Sequence, residues 1–262
     1  MDDKSKVGLQ HTPARAGLSL HSSRSSIIAR GRREAASAAT DPDYRQGAAE
    51  FKAGNFEEAA ASFHRMAEQG HAESQYILST MYEAGQGVVR DDAQAAYWER
   101  KAAEQGHAYA QANLSFRYYT ASDFAEAFAW CQRAAYSQLA WAQYNLGLMY
   151  RKGEGVAQNN AEAAHWYRLA AQQNYAEAQQ KLAELYYFGT GAAQSYAKAA
   201  SWFQRAAENG NAEAQFQLGH LYATGQGVEH DYLQYRHWIR QAALQGHAQA
   251  QRELKKRLYR DA

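Results

Sequence analysis

The sequence predicts an all-α solenoid of antiparallel helix pairs, and three observations carry that reading. Tryptophans recur as Trp98, Trp130, Trp166, Trp202 and Trp238, spaced by 32, 36, 36 and 36 residues. A fixed period of that size marks stacked supersecondary units. Within each period apolar residues fall at three-to-four spacing, the helical pattern. The two prolines, Pro13 and Pro42, both precede the array, so none interrupts a helix after residue 42.

Cutting at the tryptophan period gives repeats 71–106, 107–138, 139–174, 175–210 and 211–246. A weaker repeat, about 39–70, leads them, and a half repeat, 247–260, follows as a charged capping helix. The first helix of a repeat is typified by "AEAQFQLGHLYATGQGV" (212–228), with Ala212, Phe216, Gly219, Leu221 and Tyr222 on one face. It ends in Gly-x-Gly at Gly85/Gly87, Gly153/Gly155, Gly189/Gly191 and Gly225/Gly227, where a left-handed glycine stops a helix. The second helix opens on Asp91, Asp123, Asn159, Ser195 or Asp231. Gln94, Glu126, Glu162, Lys198 or Gln234 follows three residues later. Most of these pairs read as capping boxes, as does Asn55 with Glu58. The tryptophan comes next, as the structural core of the repeat, and then an Ala-Ala pair such as Ala170–Ala171 lets helices approach closely.

"HAESQYILSTMYEAGQGVVRDDAQAAYWERKAAEQG" (71–106) and its three 36-residue partners resemble the Sel-one-like repeat (SLR) family, relatives of the tetratricopeptide repeats. The resemblance covers about 70–260. It implies a right-handed superhelix whose first helices line a concave surface. It also implies use as an adaptor for protein complexes, as in bacteria and in eukaryotic quality control. Two repeats depart from the pattern. Repeat 107–138 replaces Gly-x-Gly with "RYYTASDF", and "FKAGNFEEAAASF" (51–63) is closer to a tetratricopeptide turn. Cysteine-rich relatives carry a disulfide in each repeat and have been linked to β-lactam binding or hydrolysis. The single cysteine, Cys131, sets this chain apart from them.

The bulk properties exclude several classes. With 262 residues and 46% hydrophobic content, the chain has enough length for a sizeable core. A net charge of +1 gives no global bias toward nucleic acid. No apolar run reaches membrane-spanning length. The start, Met-Asp-Asp-Lys, lacks a secretory apolar core, so the expected location is cytoplasmic. Residues 1–42, Ser-rich and basic, are expected to be a disordered tail. A basic arm for an acidic partner and a targeting segment are the alternatives there.

No residue constellation calls for catalysis, a metal or a cofactor. Of ten histidines, His71, His107 and His247 open repeats, and His165 and His237 precede the repeat tryptophan. Equivalent positions in separate repeats lie too far apart to share a metal, and His230 with His237 matches no common zinc spacing. The Gly-x-Gly loops lack the Lys-Ser/Thr of a phosphate loop. The chain is therefore expected to be non-enzymatic, binding a protein or peptide, with self-association through the half repeat left open.

Partner contacts should fall where the pattern leaves the residue free. In the first helix these are positions 3, 7, 10 and 14, one stripe on one face. The stripe is aromatic and polar in the middle: Tyr109, Asn113 and Phe116, then Trp141, Asn145, Leu148 and Lys152, then Lys181, Glu184 and Phe188. An aromatic centre in a polar rim is the composition of a binding hot spot. Trp141 stands out, because aligned positions carry Glu73, Tyr109, Glu177, Glu213 and Gln249. Two readings stay open for it, a groove contact or packing against the preceding repeat. A second functional class, a glycan-binding or hydrolytic protein, would use the same aromatic groove.

Overall fold

A computed structural model describes residues 41–258, with side chains to residue 255. The expected tail lies outside the described residues except for Asp41 and Pro42, as do the last residues of the capping helix. Thirteen α-helices and no strands occur among the described residues. They are α1 (Pro42–Ala53), α2 (Phe56–Glu68), α3 (Ala72–Ala84), α4 (Asp92–Glu104), α5 (Ala108–Thr120), α6 (Phe124–Tyr136) and α7 (Ala140–Lys152). Then come α8 (Asn160–Gln172), α9 (Ala176–Phe188), α10 (Tyr196–Glu208), α11 (Ala212–Thr224), α12 (Tyr232–Leu244) and α13 (Ala248–Leu258). Two compact halves meet in sequence between Ser137 and Gln138, the first holding α1–α6 and the second α7–α13. Within each half, every helix packs against the next in sequence, which is the contact pattern of a solenoid.

Local chemistry sets the helix ends. Gly85, Gly153, Gly189 and Gly225 are left-handed and close α3, α7, α9 and α11. The second helices start where expected: the side chains of Asp91, Asp123, Asn159, Ser195 and Asp231 accept from backbone N–H groups of the first turn. The capping boxes are not reciprocal, however. The backbone N–H of Asp91, Asp123, Asn159, Ser195 and Asp231 donates instead to a tyrosine carbonyl of the preceding helix: Tyr82, Tyr118, Tyr150, Tyr186 and Tyr222. That tertiary bond removes the need for a glutamate three residues on, and Lys198 is tolerated there. Asn55 makes no side-chain cap and donates to Glu50 at 2.7 Å.

Stacking of successive pairs rests on three recurrent contacts. In the first, the residue after the repeat tryptophan position, which is Ser62 in the leading repeat, meets position 11 of the following repeat. Phe63 shares a core cluster with Met81, Tyr167 with Leu185, and Phe203 with Leu221. Each such aromatic contributes about 1.5–3 kcal/mol by burial. The joint between repeats 71–106 and 107–138 differs. Glu99, 2% exposed, takes the aromatic position, and Arg117 takes the aliphatic one, its Nε 2.6 Å from Glu99 Oε2. Burial holds the Glu99 carboxyl above the usual range despite Arg117.

The second contact is a buried glutamine at position 5. Gln75, Gln111, Gln179 and Gln215 donate to the carbonyls of Ala67, Ala103, Ala171 and Ala207, at the end of the preceding second helix, and Gln251 repeats the bond to Ala243. Their own oxygens accept from Gln105, Asn209 and Gln245 onto Gln75, Gln179 and Gln215, as Gln143 accepts from Gln173. Ser137 stands at the donor position in repeat 107–138, and the Gln111 oxygen there is buried without a partner.

The third is backbone on backbone. Gly87, Gly191 and Gly227 have φ of +69°, +76° and +73°. A Cβ on each would overlap the carbonyl of Phe56, Asn160 or Tyr196, the first residue of the preceding second helix. The second glycine of Gly-x-Gly is thus a stacking contact, while only the first is the helix stop.

Trp98, Trp130, Trp166 and Trp238 are buried. Trp202 is only partly buried, packed between two clusters with the Arg205 guanidinium 4.7 Å from its ring. Cys131 is buried, and desolvation pushes its thiol up to about 12, so it is an inert core residue.

Candidate partner-binding face

Positions 3, 7, 10 and 14 are less free than the repeat pattern implies. Position 3 is a latch in two repeats. The Nε2–H of His107 donates to Glu73 at 3.0 Å, and His247 does the same to Glu213 at 3.0 Å. In both cases Nδ1 accepts from the first-turn N–H, of Ala110 and Ala250, each at 3.2 Å. The ring also stacks on an aromatic, Tyr76 at 4.4 Å or Phe216 at 4.5 Å. Histidine thus serves as helix cap and inter-repeat strap at once, which explains why it opens these repeats.

His71 caps α3 in the same way, its Nδ1 accepting from Ser74 N–H at 3.2 Å. Burial lowers its pKa from the ordinary value, against the opposing charge of Glu73. A depressed folded value means the folded chain binds fewer protons than the unfolded one. The His71 contribution is therefore complete above the unfolded value and lost as pH falls through the folded one. The thermal midpoint is expected to fall between about pH 7 and pH 5. In His71→Asn, which copies the Asn211 cap of α11, that fall should shrink when melting is followed by circular dichroism. An unchanged pH profile in the variant would remove His71 as its source.

In the first half, Tyr109 is partly buried and stacks on Tyr76 at 6.2 Å. Asn113 hydrogen-bonds the side chains of Tyr76 and Glu99. It belongs to a polar network that continues through Arg117 to Glu83. Phe116 is partly exposed. In the second half, Trp141 is partly exposed, but its Nε1 is enclosed without an acceptor. Asn145 and Leu148 are corrections to the expected stripe, at 1% and 0% exposure. Residues 142–149 of α7 are all buried, and Leu148 sits in the cluster with Ala163 and Tyr167. Beside Leu148, Gly147 has no side chain and admits the Tyr167 ring; a Cβ there would lie 2.6 Å from it. Lys152 is exposed and 3.4 Å from Glu154, and Lys181 pairs with Glu184 at 3.0 Å. Phe188 is 66% exposed, edge-on to Tyr187.

The open positions are therefore Phe116 and part of Tyr109 in the first half. In the second they are Trp141, Lys152, Lys181, Glu184 and Phe188. No group of three or more His, Cys, Asp or Glu suited to a metal occurs among the described residues. No described helix is long and apolar enough to cross a membrane.

Five consecutive segments, 72–107, 108–138, 142–175, 176–211 and 212–247, match the model of the Sel1 repeat. The chain belongs to the Sel1 repeat family. Sel1 repeat proteins are generally protein-interaction scaffolds, and the family is typically non-catalytic. This Sel1 repeat chain is similar to the structure of a protective antigen of uropathogenic Escherichia coli strains that displays an SLR fold. Identity is 35% and the TM-score 0.70, over 75% of this chain and 43% of that one. It thus spans less than half the length of that antigen. A Sel1 repeat protein from Oxalobacter formigenes is similar at 30% identity and TM-score 0.71, over 75% of this chain and 83% of that one. No curated protein matches the sequence.

Two sets of residues escaped the sequence reading. The position-5 glutamines, present in all six repeats from Gln75 to Gln251, were visible as a repeated letter with no assigned role. Glu99 and Arg117 were visible as charges at positions that are apolar in their neighbours.

Proposed function

We propose that this Sel1 repeat protein is a non-catalytic adaptor that binds a protein or peptide segment along the open positions of its first-helix stripe. The observation that carries the reading is Trp141. It stands at position 3, where two other repeats place the latch glutamates Glu73 and Glu213. The next repeat opens there on Tyr175 in place of histidine, so no latch is called for. Tryptophan is the residue type most enriched in binding hot spots, and partly exposed Trp141 shares its stripe with the exposed aromatic Phe188 and with Lys152 and Lys181, which suit a polar rim.

A partner recovered by cross-linking to the full chain supplies the test, with affinities measured by calorimetry. Trp141→Ala is expected to weaken binding by about 2 kcal/mol or more while the thermal midpoint stays near that of the parent chain. A sharp fall in the midpoint with unchanged affinity per folded molecule would make Trp141 a packing residue and overturn the reading. A glycan array and a hydrolase screen separate the carbohydrate alternative: hits there without protein binding would replace the proposal.

A further inference from the structure

The second half holds an arginine whose counter-charge the fold does not supply. Arg151 stands at position 13 of its repeat, in the last turn of α7. In the first half the same position is Glu83, and there the fold answers the charge. Arg117, at position 11 of the following repeat, lies 3.7 Å from it. For Arg151 the position-11 residue is Leu185, and Tyr167 of α8 stands where the first half has Glu99. Arg151 forms no ion pair with any described residue.

Its surroundings supply donors and lack an acceptor. The Arg151 Nε–H is enclosed with no acceptor, while the residue is partly exposed, so its two Nη groups are the ends that meet solvent. The guanidinium lies beside the hydroxyl of Tyr167, where its charge opposes the upward push that burial gives the phenol. Tyr167 is fully buried. A guanidinium only donates, so it offers nothing to the phenol proton, and no other described group does. The carboxylate of Glu184 also acts on Tyr167, but it is held by Gln180 and by Lys181 at 3.0 Å. The piece that would complete this cluster is an anion from outside the chain. A partly buried cation is screened less than an exposed one, so an anion gains more here than at open surface.

Charge and shape say which anion. With Glu184 close by, a doubly charged phosphate is repelled more than a singly charged carboxylate. The two outward Nη groups match the two oxygens of one carboxylate, the bidentate geometry of arginine. We propose that Arg151 anchors a carboxylate of the bound partner segment. Tyr167 is its positioning residue, supporting the guanidinium from the core. The inference deepens the adaptor reading and rests on it only for the source of the carboxylate, a side chain or a chain terminus.

The test is nuclear magnetic resonance on the full chain, following the Arg151 Nε–H and the backbone amides of Lys152 and Gly153. The probes are propionate, which copies a glutamate side chain, and N-acetylglycine, which copies a chain terminus. Propionamide and inorganic phosphate are the comparisons, all at constant ionic strength. Saturable shifts are expected with a carboxylate, and whichever of the two binds tighter names the source. Arg151→Gln should abolish them with the thermal midpoint near that of the parent, since no ion pair is lost. Tyr167→Phe should weaken binding about threefold or more without lowering the midpoint, because it removes a buried hydroxyl whose proton has no acceptor. Trp141→Ala should leave propionate binding unchanged, so this site and the Trp141 contact fail separately. Equal shifts with propionamide overturn the proposal, as do tighter binding of phosphate and persistence of the shifts in Arg151→Gln. Absence of saturation with both carboxylates overturns it too.

Discussion

Arg117→Met is expected to destabilise the protein by about 3–5 kcal/mol, because it leaves the Glu99 carboxylate buried without its counter-charge. Glu99 is 2% exposed, and its remaining partner in the joint, Asn113, is neutral. The loss should depend on pH in a defined sense. Burial raises the folded value of Glu99, so its contribution is fully present below the unfolded value and lost as pH rises through the folded one. The variant should therefore recover part of its stability in acid. Adding Glu99→Phe reverses the picture, since Phe–Met is the pair already found at Phe63 and Met81. The double variant should equal the parent or exceed it by about 1–4 kcal/mol, as buried ion pairs replaced by well-packed apolar groups often do. Urea denaturation of the four chains of the cycle checks this. A double variant as unstable as Arg117→Met would mean the joint depends on its charges.

The second large effect is expected at Gly191. Alanine there adopts a left-handed conformation at a cost of about 1–2 kcal/mol. Its Cβ also collides with the carbonyl of Asn160, which opens α8. Overpacking of that kind costs a further ~1–3 kcal/mol. The total of about 3 kcal/mol should appear as a lowered midpoint, with amide exchange fastest at the joint between α8 and the 189–195 loop. Gly189→Ala lacks backbone overlap: its Cβ meets the Gln194 side chain at 3.0 Å. It should be milder, and equal losses at both glycines would refute the stacking role.

Helix pairing was legible because the 36-residue period repeats caps, stops and tryptophans many times over. The capping residues Asp91, Asn159 and Asp231 were read from local chemistry alone, which needs only a short stretch of chain. The reciprocal capping box was misread because its second bond goes to a tertiary acceptor, such as Tyr222 for Asp231. The stripe was harder for the same reason. Whether position 3 is free depends on what opens the following repeat, a residue 34 positions away, as Glu73 and His107 show. Likewise Leu148 looked available on the helix wheel, but it packs in one cluster with Tyr167, whose ring lies against Gly147. Period finding compares each position with its equivalents; it does not compare it with its spatial neighbour.

The glutamine ladder gives the array a direction. At Gln75, Gln111, Gln179, Gln215 and Gln251 the position-5 amide binds the carbonyl end of a helix that precedes it in the chain, eight residues back, as Gln179 does to Ala171. Its acceptor therefore leaves the ribosome before it does. During synthesis that bond finds its acceptor already made, whereas the Gln75 and Gln179 oxygens accept from Gln105 and Asn209, 30 residues later. The donor side of the ladder therefore closes in chain order, joint by joint within each half.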